Sequence, residues 1–345
     1  MIKILKKIKQ YRIYKYSFLL VFSSFYEFFW QYIINFKSKI LYFYFKTTNL
    51  KQNYFNLSNK PTFIVSDDSD YKKIAFEINN ELTTEKIEKA KNEFKLKFDS
   101  SKDIKDYSIN LTNYISDDLM KKIINFSTNV KNIKTASEYL KVLPYLAKVK
   151  LYMNIPLKNK TPKASMLWHR DDFGYKSLDL FLAIRKVDNL NGPLHYVNKN
   201  SLNKIFLQVP DEKKEKIIGE RNKHSLEHFD KFIKKENTTT FVGNPGDGLW
   251  IDSFRVYHRG GHCTENERYM LRLSYQTSDN TRSNSLDDNC YYYDKSIKKV
   301  NIKKILEKHY FFGHKSSFIS KLNLANNLIF LYRLVAIKIR KFKLS

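Results

Sequence analysis

A chain of 345 residues with 42% apolar and 15% aromatic side chains holds enough material for one large domain or two small ones with a sizeable core, which excludes general disorder. Its net charge of +27 admits an anionic partner, but the lysines are scattered and no arginine-rich or RNP-like run accompanies them, so no specific nucleic-acid partner is expected. Only two cysteines occur, Cys263 and Cys290, which excludes a disulfide framework, a cysteine zinc ribbon and an iron–sulfur cluster and makes a reducing cytoplasm the default setting.

Residues 1–47 form a basic, aromatic N-terminal region. Its apolar stretch, Ser17 to Ile34, lacks a small-x-small cleavage site and is interrupted by Glu27 and Gln31. A helix packed on the domain is expected there, ahead of an interfacial membrane helix and well ahead of a true span. Residues 48–147 read as a linker followed by a helical buttress. The linker is the polar, turn-rich stretch 48–70. Thr83-Thr84-Glu85-Lys86 caps a helix running to Phe98, and Ser116-Asp117-Asp118 caps a second with Leu119, Ile123, Ile124 and Phe126 on its apolar side. A third helix is expected from Ile133 to about Ala147, bent at Pro144.

From Lys148 the period changes. Val149, Leu151 and Met153 alternate with Lys150, Tyr152 and Asn154, and further strand-like runs follow at 177–187, 194–197, 238–242, 249–258 and 268–277. Asn191-Gly192, Gly246-Asp247-Gly248 and Gly260-Gly261 supply turns between them. Many short strands with glycine turns indicate a mainly β core, a sandwich or a barrel, over residues 148–282. The charged, helix-like stretch 202–236 suits an insertion or lid. Residues 283–345 are irregular and then, from Ile319 to Ser345, form a basic amphipathic helix suited either to cover the N-terminal helix or to lie on an anionic membrane. No internal repeat is present.

Within the β region, His169 and Asp171 are two apart just before a strand, and residues i and i+2 of an extended chain face the same side. His258 ends the strand-like run from Gly248. Two imidazoles and one carboxylate with open positions make up the facial triad of non-haem Fe(II) oxygenases. His228-Phe229-Asp230 repeats the spacing, but in a lysine-rich helical run where residues two apart do not share a face. His262 rivals His258 but follows two glycines in a turn, and Asp172 rivals Asp171 but is three residues from His169. His195 reads as a sheet residue; His224, His309 and His314 read as solvated. Arg268 and Arg272 lie on one face of the last strand, about 13 Å apart, so only one can reach a given anion near the triad.

These residues carry a family resemblance. WHRDDFGYKSLDLFLAIRKVDNLNGPLHYV and GDGLWIDSFRVYHRGGHCTENERYMLRLSYQ resemble the proximal and distal halves of the phytanoyl-CoA dioxygenase family of Fe(II)/2-oxoglutarate oxygenases, over roughly residues 145–280. The resemblance implies a double-stranded β-helix, a jelly-roll or cupin-like barrel, with iron held by His169, Asp171 and His258. It implies that Arg268 salt-bridges 2-oxoglutarate, with Arg272 in reserve as part of an RxS-like Arg272-Leu273-Ser274. Where the family has Pro-Gly-Ser-His after its NGPL-type turn, this chain has Asn198-Lys199-Asn200-Ser201.

The implied activity is hydroxylation of an unactivated C–H with Fe(II), 2-oxoglutarate and O2, the cosubstrate leaving as succinate and CO2. The substrate is expected to be a small or lipid-like molecule. Arg170, Lys176, Arg255 and Arg259 near the expected mouth favour an anionic one. The competing readings are a non-catalytic jelly-roll binding module and a basic protein attached peripherally to membrane through its terminal helices.

Overall fold

The strand-forming residues build two antiparallel sheets. In chain order, the elements of the computed structural model are β1 (Thr62–Val65), α1 (Ser69–Glu81), α2 (Thr84–Ser100), β2 (Ser108–Asn110), α3 (Asp117–Ser127), α4 (Val130–Leu140), β3 (Tyr145–Asn154), β4 (Ser177–Ala183), β5 (Leu194–Val197), β6 (Thr238–Phe241), β7 (Gly248–Ile251), β8 (His258–Gly260) and β9 (Arg268–Gln276). The structure describes residues 39–276 except 41, 44, 48, 58–59, 101–106, 157–163, 172–176, 198–231 and 254. The Ser17 to Ile34 stretch, most of the 202–236 insertion, the 283–345 tail, Asp172, Lys176, Cys290 and the four histidines at 224, 228, 309 and 314 lie outside the described residues. Among the described residues no helix is long and apolar enough to cross a membrane.

The larger sheet has the order β1-β7-β4-β9-β3-β2 and the smaller one β6-β5-β8. Alternation decides what each face of the larger sheet meets. Leu178, Leu180 and Leu182 of β4, Trp250 of β7, and Leu271, Leu273 and Tyr275 of β9 face α1, α3 and α4, where they pack with Tyr71, Ile123, Ile124, Ile133, Ala136 and Leu140. The opposite phase, Phe181 and Ala183 of β4, Leu249 and Ile251 of β7 and Met270 of β9, packs against Leu194, Tyr196 and Phe241 of the smaller sheet. Because both faces are covered, β4 is buried at all seven positions, and a strand in that position reads as a continuous apolar run. Ser177 and Asp179 are the exceptions, and both lie on the phase toward the smaller sheet.

Local chemistry sets the helix ends. The Asp68 carboxylate accepts from the backbone N–H groups of Asp70 and Tyr71 and starts α1, Ser116 Oγ accepts from Leu119 and starts α3, and Asn129 accepts from Asn132 and starts α4. Three expectations are corrected. The 48–70 linker holds β1 and the start of α1, whose cap at Asp68 closes a turn-rich composition with a helix signal. The third helix stops at Leu140, because Lys141 takes the left-handed conformation at φ 60° and its N–H closes on Ser137 O; Tyr145 already pairs with Gln276 in β3. The expected 249–258 strand is two strands in different sheets. β7 ends at Ile251, and buried Asp252 folds the chain back by accepting from Arg255 N through Oδ1 and from Val256 N through its carbonyl. Tyr139 of α4 donates to Asp252 Oδ2 at 2.8 Å, so the helical layer anchors this turn.

Asn191-Gly192 is a turn, but it carries the chain from one sheet to the other and does not close a hairpin. Gly192 has φ +65°, and a Cβ there would stand 2.5 Å from Cys263 N. Gly261, on the turn just after β8, meets Gly192 and Pro193 backbone at similarly close range. This backbone-to-backbone approach fixes where β8 leaves the smaller sheet. Gly192→Ala should therefore lower unfolding stability by roughly 2–6 kcal/mol, the sum of left-handed strain and overpacking. Urea unfolding measures it, and a loss below 0.5 kcal/mol, within the usual range of neutral surface changes, would show that the contact is not needed.

Candidate metal site

Two distant segments meet through their backbones. His169 N–H donates to His258 O at 2.9 Å and His258 N–H donates to His169 O at 2.9 Å, an isolated antiparallel bridge. Residues that exchange both bonds hold their side chains on the same face, and the two imidazole centroids lie 4.5 Å apart. Two residues on, Asp171 N–H donates to Ser253 O at 2.8 Å, which keeps the segment extended and puts the carboxylate on the same side as His169. One ligand atom from each of His169, Asp171 and His258 lies within 4.8 Å of the others, and all three residues are buried.

Ring orientation suits a metal. His169 Nδ1 bonds to Leu167 O at 2.7 Å and His258 Nδ1 bonds to Val256 O at 2.9 Å. A carbonyl only accepts, so Nδ1 carries the hydrogen in both rings and the lone pair of each neutral ring is on Nε2, which faces the carboxylate. His169 Nε2 is 3.6 Å from Asp171 Oδ1, and His258 Nε2 is 4.0 Å from Oδ2. This is a donor set that can hold a divalent metal ion; two imidazoles and a carboxylate suit Fe(II) among the first-row metals.

The carboxylate is oriented from behind. Arg272 Nη2 donates to Asp171 Oδ2 at 2.5 Å and to Asp179 Oδ2 at 2.8 Å, and Ser253 Oγ donates to the same Asp179 oxygen at 2.5 Å. Burial alone would raise the Asp171 carboxyl. The Arg272 guanidinium, with smaller contributions from His258 and His169, reverses this and holds it well below the usual carboxylate range. Asp171 is thus an anion with Oδ2 engaged by Arg272 and Oδ1 toward the His169 ring.

A cavity of about 160 Å³ between the sheets takes in the triad, with Arg268, Met270 and Arg272 of β9 and Lys148, Lys150, Tyr152 and Asn154 of β3 on its wall. Arg268 is buried. Its Nη2 donates to Asn154 Oδ1 at 2.8 Å, while Nε and Nη1 have no hydrogen-bond partner among the described residues. A guanidinium in that state can receive an incoming carboxylate, since its buried N–H groups are costly until satisfied. Arg272, the sequence alternative, is already engaged by two carboxylates. Lys148 is half-buried on the same wall, and burial, then the charges of Arg272 and Lys150, lower its ammonium to about 7.

His262, the rival of His258, is not part of the cluster, and His195 sits in β5 with Nδ1 3.0 Å from Thr240 Oγ1. Arg170 and Arg259 lie over the rings of Tyr257 and Trp168, and Arg255 Nε approaches Asp252 Oδ2 at 3.6 Å; none of the three lines the cavity. Sequence reasoning missed Asp179, Ser253, Asn154, Lys148 and Lys150. Asp179 left one signal, a lone acid inside the apolar run SLDLFLA. The polar phase of β3 left another, an alternation that does not say what each face meets; the polar face lines the cavity, with Tyr152 packed against the smaller sheet's cluster.

No protein-family model matches the chain, and no curated protein does. Among solved structures, EctD from S. alaskensis in its apo form is similar at 16% identity and a TM-score of 0.40, over 65% of this chain and 75% of that one. The same protein with 2-oxoglutarate and 5-hydroxyectoine is similar at 16% identity and a TM-score of 0.38, over 65% and 74%. The epimerase SnoN in complex with Fe3+, alpha ketoglutarate and nogalamycin RO is similar at 14% identity and a TM-score of 0.36, over 64% and 80%. Likeness at this level leaves the site to be read from its own geometry.

Proposed function

We propose that this chain is an Fe(II)- and 2-oxoglutarate-dependent oxygenase of the phytanoyl-CoA dioxygenase type, built on a double-stranded β-helix, that hydroxylates a C–H bond of a small or lipid-like substrate. The observation that carries the reading is the pairing, in one buried cavity, of a His-Asp-His donor set with an arginine whose Nε and Nη1 await an acceptor. A metal site alone would suit a non-catalytic binding module as well. The added arginine supplies a receptor for the far carboxylate of a keto acid.

On this reading His169 Nε2, His258 Nε2 and an Asp171 oxygen hold the iron. Iron with 2-oxoglutarate and O2 supplies the oxidising equivalents, the keto acid leaving as succinate and CO2 and one oxygen atom passing to the substrate. The chain's own residues supply position and charge. Arg268 takes the distal carboxylate, and Asn154 holds the guanidinium by Nη2 so that its other hydrogens face the cavity. Arg272 keeps Asp171 ionised and fixes its rotation, with Asp179 and Ser253 holding Arg272 in turn. Leu167 and Val256 carbonyls fix both imidazole tautomers. Phe181, Leu194, Phe241 and Met270 give the cavity apolar wall that limits water.

Two experiments test this reading. The wild type should bind one Fe(II) or Mn(II) per chain under anaerobic titration, and Asp171→Ala or His258→Ala should weaken it by about 100-fold or more, at the upper end of what losing a supporting partner costs. An Asp171→Ala protein that still converts 2-oxoglutarate to succinate would contradict the assignment. Arg268→Ala should raise the KM for 2-oxoglutarate by roughly 30-fold or more with metal affinity unchanged, as expected when one partner of a buried ion pair is truncated. An unchanged KM would move the role to Arg272.

A further inference from the structure

The cavity holds more positive charge than the proposed reaction uses. Lys148, Lys150, Arg268 and Arg272 line it. Arg272 is bonded to both Asp171 and Asp179, and in the oxygenase reading Arg268 is matched by the cosubstrate. That accounting leaves Lys148. The Lys148 side chain makes no hydrogen bond or ion pair among the described residues, while Lys150 Nζ lies 5.3 Å from the Tyr152 ring centroid.

Strand register places these cations on different sides of the triad. Along the β3–β9 pair, Asn154 stands opposite Arg268, Tyr152 opposite Met270, Lys150 opposite Arg272 and Lys148 opposite Ser274. Arg272 is the residue bonded to the ligand carboxylate, so the cavity wall runs from Arg268, past the Asp171 level, to Lys148. The levels of Arg268 and Lys148 are six residues, roughly 20 Å, apart along the strand. A five-carbon dicarboxylate with one end at the triad and the other on Arg268 does not reach Lys148. A half-buried lysine set beside a second lysine and an arginine keeps its proton at a cost unless an anion compensates it, and the two carboxylates whose charge favours it, Asp171 and Asp179, are already shared with Arg272.

We propose that the substrate carries an oxyanion, a carboxylate or a phosphate monoester, received by Lys148 on the side of the Asp171 level away from Arg268, with Lys150 at that level beside it. The assignment of that side to the substrate rests on the oxygenase reading; the anion site itself does not. The lysines fix the charged end of the molecule and thereby choose which of its carbons lies at the metal.

The test is binding of phenyl phosphate, phenylacetate and neutral phenylacetamide to the full-length protein by calorimetry, without metal and again with Mn(II) and N-oxalylglycine. At least one charged probe should bind about tenfold tighter than the amide, the smaller end of what a charge-assisted hydrogen bond contributes. Lys148→Met should remove most of that preference and leave the amide's affinity within about twofold, Lys148→Arg should restore it, and Lys148→Met should melt at or above the wild-type Tm. Which charged probe is tighter decides between carboxylate and phosphate. Equal binding of charged and neutral probes, no binding of either charged probe, or a preference that survives Lys148→Met would overturn the proposal. N-oxalylglycine reports separately on the oxygenase reading. Its failure to bind with the anion preference intact would sink the oxygenase and keep the lysine site, and the reverse result would do the opposite.

Discussion

The two-way backbone exchange between His169 and His258 is the constraint on which the site depends. It is a single bridge, not part of either sheet's named ladder, and it joins a segment before β4 to the first residue of β8. Everything chemical in the cavity is placed relative to it. One side of the bridge continues to Asp171, whose N–H is held by Ser253, and the other continues along β8, which pairs with β5 from Leu194 to Tyr196. Because three separate hydrogen-bonded contacts fix the two segments, the donor atoms converge before any ion arrives, as a preorganised site requires.

The helices serve the same end at a distance. Tyr139 of α4 holds the Asp252 turn, which ends β7 and aims the chain toward His258. Tyr275, on the core-facing phase of β9, donates to Ser127 O at the end of α3 and stacks near Trp250, so the strand that carries Arg268 and Arg272 on its other phase cannot rotate or slip by one residue. A one-residue slip would exchange the two phases and send both guanidiniums into the apolar layer. Ordinary core packing on one side of the sheet thus maintains charge placement on the other.

Much of this was legible in the chain. The caps at Thr83 and Ser116, the β-rich region from residue 148 onward and the spacing of His169 and Asp171 follow from local rules, and the structure brings His169 and Asp171 together with His258. What was not legible depends on which surfaces meet. Asp68 caps a helix inside a stretch whose composition says turn. The Gly248 to His258 run is uniformly strand-like, and the turn at Asp252, anchored by Tyr139, breaks it in two. The Lys148, Lys150, Tyr152, Asn154 phase looks like a solvated strand face because alternation reveals two faces but not what covers each. The choice between Arg268 and Arg272 needed partners: Asn154 for one, and Asp171 with Asp179 for the other.

The most direct measurement is crystallographic: anomalous diffraction at the iron edge from crystals grown anaerobically with Fe(II). The account predicts one strong peak bonded to the Nε2 atoms of residues 169 and 258 and to a carboxylate oxygen of residue 171, with the Arg272 contact to Asp171 retained. A peak elsewhere in the chain, or no peak while both imidazoles keep their Nδ1 bonds to backbone carbonyls, would contradict it.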